Sequence, residues 1–414
     1  MPEPILDGPR PATGTAPTLR AGSLRPGATV TRDRLPGDVV PPVGRGDVRQ
    51  SAARRRAAAL VSDEALLVGP LKGYHHETYA FPLPAADGSG RQTWWKCRDP
   101  RAGLLWFDLR VFASEKALVR ALQGSITRIP AVIDREAVSL YTFVEGRTLG
   151  EACPPEWALS ERHAGQLGVL FRELVSVRPE AVVASVGLAT GGFLAGWKDD
   201  SAAFLGRLID FTDVHIYQRH LPRYRSLFRD LGIPGGALDG LRAAAEALVP
   251  RPFALLHGDL HRENFVVDAR DDLWTIDWEL AMVGDPLYDL ATHLHLMHYP
   301  PEEQVRIITM WCRAVESARP GSSWGWRTDL PVLRAYKRAQ SVYTDVIRAA
   351  LGLHGLTEEA ARRQLPQLAS RIKGVLGAAR RPLGLRAEPT AEEVAAAYAR
   401  WLRAHPSSAT TATS

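Results

Sequence analysis

Cysteine is scarce in these 414 residues: there are three, at positions 97, 153 and 312. Their odd number and wide spacing exclude a disulfide framework and a CxxC zinc site. Free thiols in a reducing compartment are the expectation. Long apolar runs are also missing. No stretch approaches the roughly 18 residues of a membrane span, and the opening MPEPILDGPRP holds no apolar signal core. A soluble, cytoplasmic protein with no membrane partner is expected. No repeat of fixed period is present. The formal net charge of +5 is absent from most of the chain: residues 1–56 carry ten Arg, no Lys and five acids, while the other 358 residues carry 41 bases and 41 acids. The basic balance belongs to a short arm, which points away from nucleic acid as a partner.

What is present is ordinary globular composition, 45% hydrophobic and 23% charged, with eleven Trp and eleven Phe to fill a core. Residues 1–46 hold nine Pro and seven Gly, a composition that cannot offset its own ordering entropy. The domain expectation is therefore a disordered leader over 1–56, a small lobe over 57–143, a larger lobe over 144–403 and a loose tail over 404–414. In the small lobe, strands are expected at 64–68, 78–84, 91–98, 131–134 and 138–143, with one helix near 114–122 after the third. Along the third, Trp94, Lys96 and Arg98 share one face, with Trp95 and Cys97 on the other. From 156 onward the periodicity is helical, interrupted by a strand–loop–strand pattern at 253–277. Strands followed by helices argue an α+β fold in two lobes.

The chemistry is concentrated in His257–Asn264, H-G-D-L-H-R-E-N, and Thr275–Leu280, T-I-D-W-E-L. Strands at 265–268 and 273–276 around a turn at 269–272 make a hairpin that returns Asp277 to the neighbourhood of Asp259 and Asn264. Two carboxylates and an amide then converge. Hard oxygens of this kind suit Mg²⁺, which takes few protein ligands and fills its shell with phosphate and water. Gly284-Asp285-Pro286 reads as a helix start, with Asp285 as N-cap and Pro286 at the first position.

This set resembles the aminoglycoside phosphotransferase family of the protein-kinase-like fold. The Asp-to-Asn spacing matches the kinase catalytic loop, and D-W-E stands where protein kinases carry D-F-G. The resemblance implies a bilobal fold with a β-rich N-lobe and a helical C-lobe. Asp259 would receive or orient the acceptor hydroxyl proton, and Asn264, Asp277 and, less directly, Glu279 would hold Mg²⁺. His257, His261 and Asp289 would support the catalytic loop. Lys96 would contact nucleotide phosphates with Glu115 as its ion-pair partner, Arg98 being its rival on the same face. Phe143 and Glu145 would belong to the hinge that reads the purine edge. The glycine-rich loop G-x-G-x-x-G is missing, and Gly73, His75 and His76 are the nearest candidates in its place. Gly284 follows Asp277 by only seven positions, too few for an activation loop, which disfavours protein kinase activity.

The implied reaction is Mg²⁺-dependent transfer from ATP or GTP to a hydroxylated small molecule, an antibiotic foremost, by a monomer or dimer. A metabolite kinase of choline or fructosamine type and a catalytically idle ligand-binding protein are the alternatives. Residues 330–403 carry thirteen bases against six acids, which argues against a polycationic aminoglycoside and fits a neutral or anionic acceptor equally well. A helix expected at 331–351 places Tyr343 and Asp345 as acceptor contacts.

Overall fold

A computed structural model describes residues 51–406, except 72, 74, 85–91, 102–104, 106, 136–137 and 190–198. Most of the expected leader and the tail beyond 406 lie outside the described residues. Helix α1 (Ala52–Ala59) begins inside the stretch expected to be disordered, because Ser51 caps it and Ala53 and Ala57 are buried.

The N-terminal lobe is a five-stranded antiparallel sheet of β1 (Val68–Leu71), β2 (His76–Pro84), β3 (Gln92–Pro100), β4 (Val132–Arg135) and β5 (Val138–Thr142), in the order β1-β2-β3-β5-β4. The apolar run at 64–68, expected to be a strand, opens instead as a single 3₁₀ turn capped by Asp63. Alternation divides the sheet into two faces. Tyr79, Phe81, Leu83 and Cys97 pack under α1. The opposite face carries Ala80 paired with Lys96, Thr78 paired with Arg98, and Tyr141 beside Lys96. Helix α2 (Glu115–Leu122), capped by Ser114, lies in the chain between β3 and β4.

The C-terminal lobe is mainly helical. Short α3 (Leu149–Ala152) follows β6 (Gly146–Thr148), then come α4 (Glu161–Ser176), α5 (Pro179–Val186), α6 (Ser201–Phe211), α7 (Arg219–Asp230) and α8 (Asp239–Ala245). Helix α4 starts five residues later than the periodicity suggests, because Ser160 accepts the N–H of His163 and so caps the helix there. A π-helical turn, Thr212–Gln218, carries α6 directly into α7. Strands β7 (Ala254–Leu256), β8 (Phe265–Asp268), β9 (Leu273–Thr275) and β10 (Met282–Gly284) bracket the H-G-D-L-H-R-E-N and T-I-D-W-E-L motifs. Helices α9 (Pro286–Met297), α10 (Pro301–Ala318), α11 (Trp326–His354), α12 (Glu358–Ala379) and α13 (Ala391–Ala404) complete the chain. One continuous core runs through these helices and reaches α2. Among the described residues no helix is long and apolar enough to cross a membrane.

Candidate active site

The loop of the H-G-D-L-H-R-E-N motif leaves β7 and enters β8 through residues 257–264. Gly258 has a φ of +80°, and a Cβ there would stand 2.5 Å from the Leu280 carbonyl oxygen, so a side chain is excluded at this step of the loop. The two backbone N–H groups at the loop's start, His257 and Gly258, donate to Asp289 Oδ2 and Oδ1, both at 2.8 Å. Burial pushes the Asp289 carboxyl up to about 6, against those two bonds. His257 donates from Nε2 to the Ile276 carbonyl (3.1 Å) and accepts the Asp259 N–H at Nδ1 (3.3 Å), with its ring against Trp278. It is a fully buried, neutral brace, its pKa lowered by burial to about 4.

Asp259 is held on two sides. Asn264 Nδ2 donates to its Oδ2 (3.0 Å) and its carbonyl (2.9 Å), and His261 Nε2 stands 3.3 Å from Oδ2. Burial works against the Asp259 anion, but His261 more than compensates and the carboxyl lies below its ordinary range. Burial likewise works against charge on His261, and Asp259 raises it overall. The hairpin forms as its sequence suggests. Asp268 Oδ1 accepts the N–H groups of Arg270 and Asp272, folding the turn, and Phe265 pairs with Thr275. The Ile276 N–H then donates to the Asn264 carbonyl (2.9 Å), which brings Asp277 to the loop with a φ of +65°.

Asp277 Oδ1 accepts from Arg98 Nη1 at 3.0 Å. Burial opposes its ionisation, but the Arg98 guanidinium holds its pKa down to about 2. Asn264 commits Nδ2 to Asp259, and Asp277 commits one oxygen to Arg98. Asn264 Oδ1 and Asp277 Oδ2 receive no donor among the described residues. Two hard oxygens in this setting fit Mg²⁺ completed by phosphate and water, although no group of three His, Cys, Asp or Glu poised for a metal occurs among the described residues.

Three expectations are corrected here. Glu115 pairs with Arg98, not Lys96: Arg98 Nη2 contacts Glu115 Oε2, and the guanidinium lies over the Tyr141 ring. The two-residue spacing along β3 kept both cations on one face, and the longer, planar fork of Arg98 spans Glu115 and Asp277 together. Glu115 Oε1 also accepts the Trp278 N–H (3.0 Å), tying α2 to the D-W-E segment. Lys96 has no ion pair among the described residues, and burial followed by the Arg98 charge lowers its pKa to about 8.

Glu279, expected to help hold Mg²⁺, has its oxygens engaged by basic side chains. Its oxygens accept from His75 Nδ1 (2.9 Å) and Arg110 Nη2 (2.8 Å), with His76 Nδ1 at 3.7 Å. The two histidines of the β1–β2 connection therefore meet a carboxylate. The Phe143 N–H donates to the Trp94 carbonyl, so it is spent inside the sheet. Glu145 lies between β5 and β6 with its side chain exposed.

The third correction concerns α11. A cavity of about 140 Å³ opens beside Asp259 and Gly258, with Leu208 and Phe211 of α6 forming apolar wall. Helix α11 does line it, through Lys337, Gln340, Ser341, Thr344 and Arg348. Tyr343 and Asp345 do not. Tyr343 is buried against Tyr217 and Phe228, and Asp345 is outside the lining. The lining residues recur at three and four positions, one helical stripe, and that period was the signal available in the sequence.

His293, which sequence reasoning passed over, donates from Nδ1 to the Leu260 carbonyl (2.9 Å) and meets Tyr299 Oη (3.0 Å). Burial lowers its pKa to about 4, and that of His295 to about 3. These imidazoles bind fewer protons folded than unfolded, so stability is complete above the ordinary His range and is lost as pH falls through it. At pH 5 each of His257, His293 and His295 costs roughly 2 kcal/mol, and protonation of Asp289 returns about 1. Urea unfolding at pH 7.5 and pH 5.0 should show a net loss of several kcal/mol. Equal stability at both values would mean that these imidazoles are not held neutral.

Residues 97–330, more than half of the chain, match the family model described as the phosphotransferase enzyme family. Among solved structures, an ethanolamine kinase from Plasmodium vivax aligns at TM-score 0.50 and 12% identity, over 76% of this chain and 84% of its own. The macrolide 2'-phosphotransferase MphH of Brachybacterium faecium aligns at 0.45 and 18%, over 81% and 99%. A thermostable mutant of the aminoglycoside phosphotransferase APH(4)-Ia, in ternary complex with ADP and hygromycin B, aligns at 0.44 and 16%, over 84% and 98%. No curated protein sequence matches significantly.

Proposed function

Since the chain belongs to the phosphotransferase enzyme family, we propose that it transfers the γ-phosphoryl group of ATP or GTP to a hydroxyl of a small molecule. The observation that carries this reading is Asp259 lining a cavity while Asn264 holds its carboxylate and the hairpin brings Asp277 to the same loop. The acceptor oxygen forms a bond to the γ-phosphorus as the bond from that phosphorus to the β–γ bridging oxygen breaks. The nucleoside diphosphate leaves with that electron pair, and the hydroxyl proton passes to a carboxylate oxygen of Asp259. Phosphoryl transfer of this kind depends mainly on positioning and charge.

Asp259 is suited to the proton because it is ionised and fixed. Asn264 orients it, and the bonds from Asp289 to the loop N–H groups keep it from drifting. Asn264 Oδ1 and Asp277 Oδ2 would hold Mg²⁺, which supplies charge neutralisation for the transferring phosphate. Arg98 and Lys96 present two cations beside Asp277 for the nucleotide phosphates, with Glu115 restraining Arg98. Val144 and Glu145 would offer their backbone to the purine. His75 and His76, engaged with Glu279, close the side where a glycine-rich loop is missing.

An antibiotic acceptor and a metabolite alcohol both remain compatible with this machinery. The test is coupled nucleotide turnover with Mg²⁺ across antibiotics and metabolite alcohols, followed by mass spectrometry of the product. Gain of one phosphoryl group by the acceptor is expected. Nucleotide binding with no phosphorylated product from any hydroxylated compound would favour an idle ligand-binding protein.

A further inference from the structure

We infer that the acceptor carries a carboxylate and that Lys337 on α11 receives it. The inference rests on the phosphotransfer reading of the same cavity.

The argument is a charge inventory. Each carboxylate around the cavity already has partners. Asp259 has His261 and Asn264. Asp108 has Arg348 at 3.6 Å and His75 at 3.7 Å. Asp289, behind the loop, gives both oxygens to backbone N–H groups. Lys337 is the exception among the cations that line the cavity. It is 9% exposed, and no carboxylate lies within ion-pair distance of its ammonium among the described residues. Its Nζ donates to Gln340 Oε1 (2.8 Å) and Tyr288 Oη (3.3 Å), both neutral, and stands 5.2 Å from the Tyr288 ring centroid. An ammonium has three N–H donors, so one is left for a ligand.

Holding a cation in a buried wall without an ion pair is costly, and burial lowers its pKa to about 8 against the more distant carboxylates. A chain with six lysines in 414 residues has placed one of them here. Beyond ion-pair distance, Asp259, Asp108 and Asp289 favour its charged form. His295, on the same wall and 2.8 Å from Ser341 Oγ, is kept neutral by burial and by the charges of Lys337, His298, Arg338 and Arg334. Gln340, Ser341 and Thr344 add neutral polar groups suited to further hydroxyls.

The test uses the full chain with Mg²⁺ and ATP or GTP, and matched acceptors: gluconate against glucose, glycerate against glycerol, with choline and kanamycin as cationic probes. The carboxylate member of a pair should have at least tenfold higher kcat/KM, about 1.4 kcal/mol of discrimination. Lys337→Met should bring that ratio close to one, mainly through KM. Lys337→Arg should keep the preference. Because it removes a buried charge that has no ion pair, Lys337→Met should melt no lower than the parent protein.

Three results would overturn the inference while leaving phosphotransfer intact: turnover of neutral or cationic acceptors alone, a carboxylate preference that survives Lys337→Met, or nucleotide binding with no response to any carboxylate. Failure to bind Mg²⁺–nucleotide at all, read by calorimetry, would remove the phosphotransfer reading itself, and this inference with it.

Discussion

Asp259→Asn should lower turnover by about 10²- to 10⁴-fold, the range expected for loss of a positioned general base. Nucleotide affinity should change little. Asn is isosteric with Asp, and its carbonyl oxygen can still accept from Asn264 Nδ2, so the loop has no reason to move. The change removes the group that takes the proton and also the anion facing His261, 3.3 Å away. Without that partner, the His261 pKa should fall, which histidine NMR titration would show directly. The two readouts together separate chemistry from collapse of the loop. A variant with unchanged nucleotide binding, a shifted His261 and less than tenfold loss of turnover would take Asp259 out of the proton-accepting role. The parent enzyme gives a complementary signal. Since the Asp259 carboxyl lies below its ordinary range, its ionisation should leave no inflection in the neutral part of the pH–rate profile.

The catalytic hairpin was legible because each step has a local cause. Asp268 folds the turn, β8 and β9 alternate, and Gly258 permits a loop step that a side chain would block. Four strands of the sheet, and the helix after the third, were legible from their patterning, but β1 was not: the apolar run before it folds as a 3₁₀ turn and the strand falls at Val68–Leu71. The partners of long side chains were not. Lys96 and Arg98 occupy one sheet face two residues apart, and periodicity cannot say which one reaches Glu115. That depends on how far α2 stands from β3, a tertiary quantity. The histidines at 75 and 76 read as loop residues because Glu279, 204 residues away from His75, becomes their neighbour only in the fold. On α11 the helix was legible and its facing side was not. Tyr343 is attractive as a ligand contact by residue type, but aromatic rings on a long helix more often fill core. It packs against Tyr217 and Phe228. Polar residues recurring at Lys337, Gln340, Ser341, Thr344 and Arg348 carried the better signal.

The largest stability effect should come from outside the site. Arg251→Met should destabilise the fold by about 3–5 kcal/mol, the usual result of removing one member of a buried ion set. Arg251 is 1% exposed and is fixed by four bonds: Nε and Nη2 to Asp285 (2.8 and 2.6 Å), and Nη1 to Asp329 Oδ2 (2.7 Å) and the Trp324 carbonyl (2.6 Å). Without it, two buried carboxylates lose their counter-charge. Asp285 would still accept the Leu287 N–H as the cap of α9, and Asp329 would still accept the Val249 N–H, but neither bond replaces a guanidinium. Against a typical total of about 5–15 kcal/mol, such a loss is a fifth of the stability or more. The consequence reaches catalysis through α9, which starts at the Asp285 cap and carries Asp289, the carboxylate that holds the catalytic loop. Urea unfolding should show a lowered midpoint with an unchanged slope. A triple variant, Arg251→Met with Asp285→Asn and Asp329→Asn, should recover much of the loss, because it removes the stranded charges and leaves neutral caps. If the single variant were as stable as the parent, the Arg251 cluster would not be holding α9 against the loop. The G-D-P motif would then act only as a helix start.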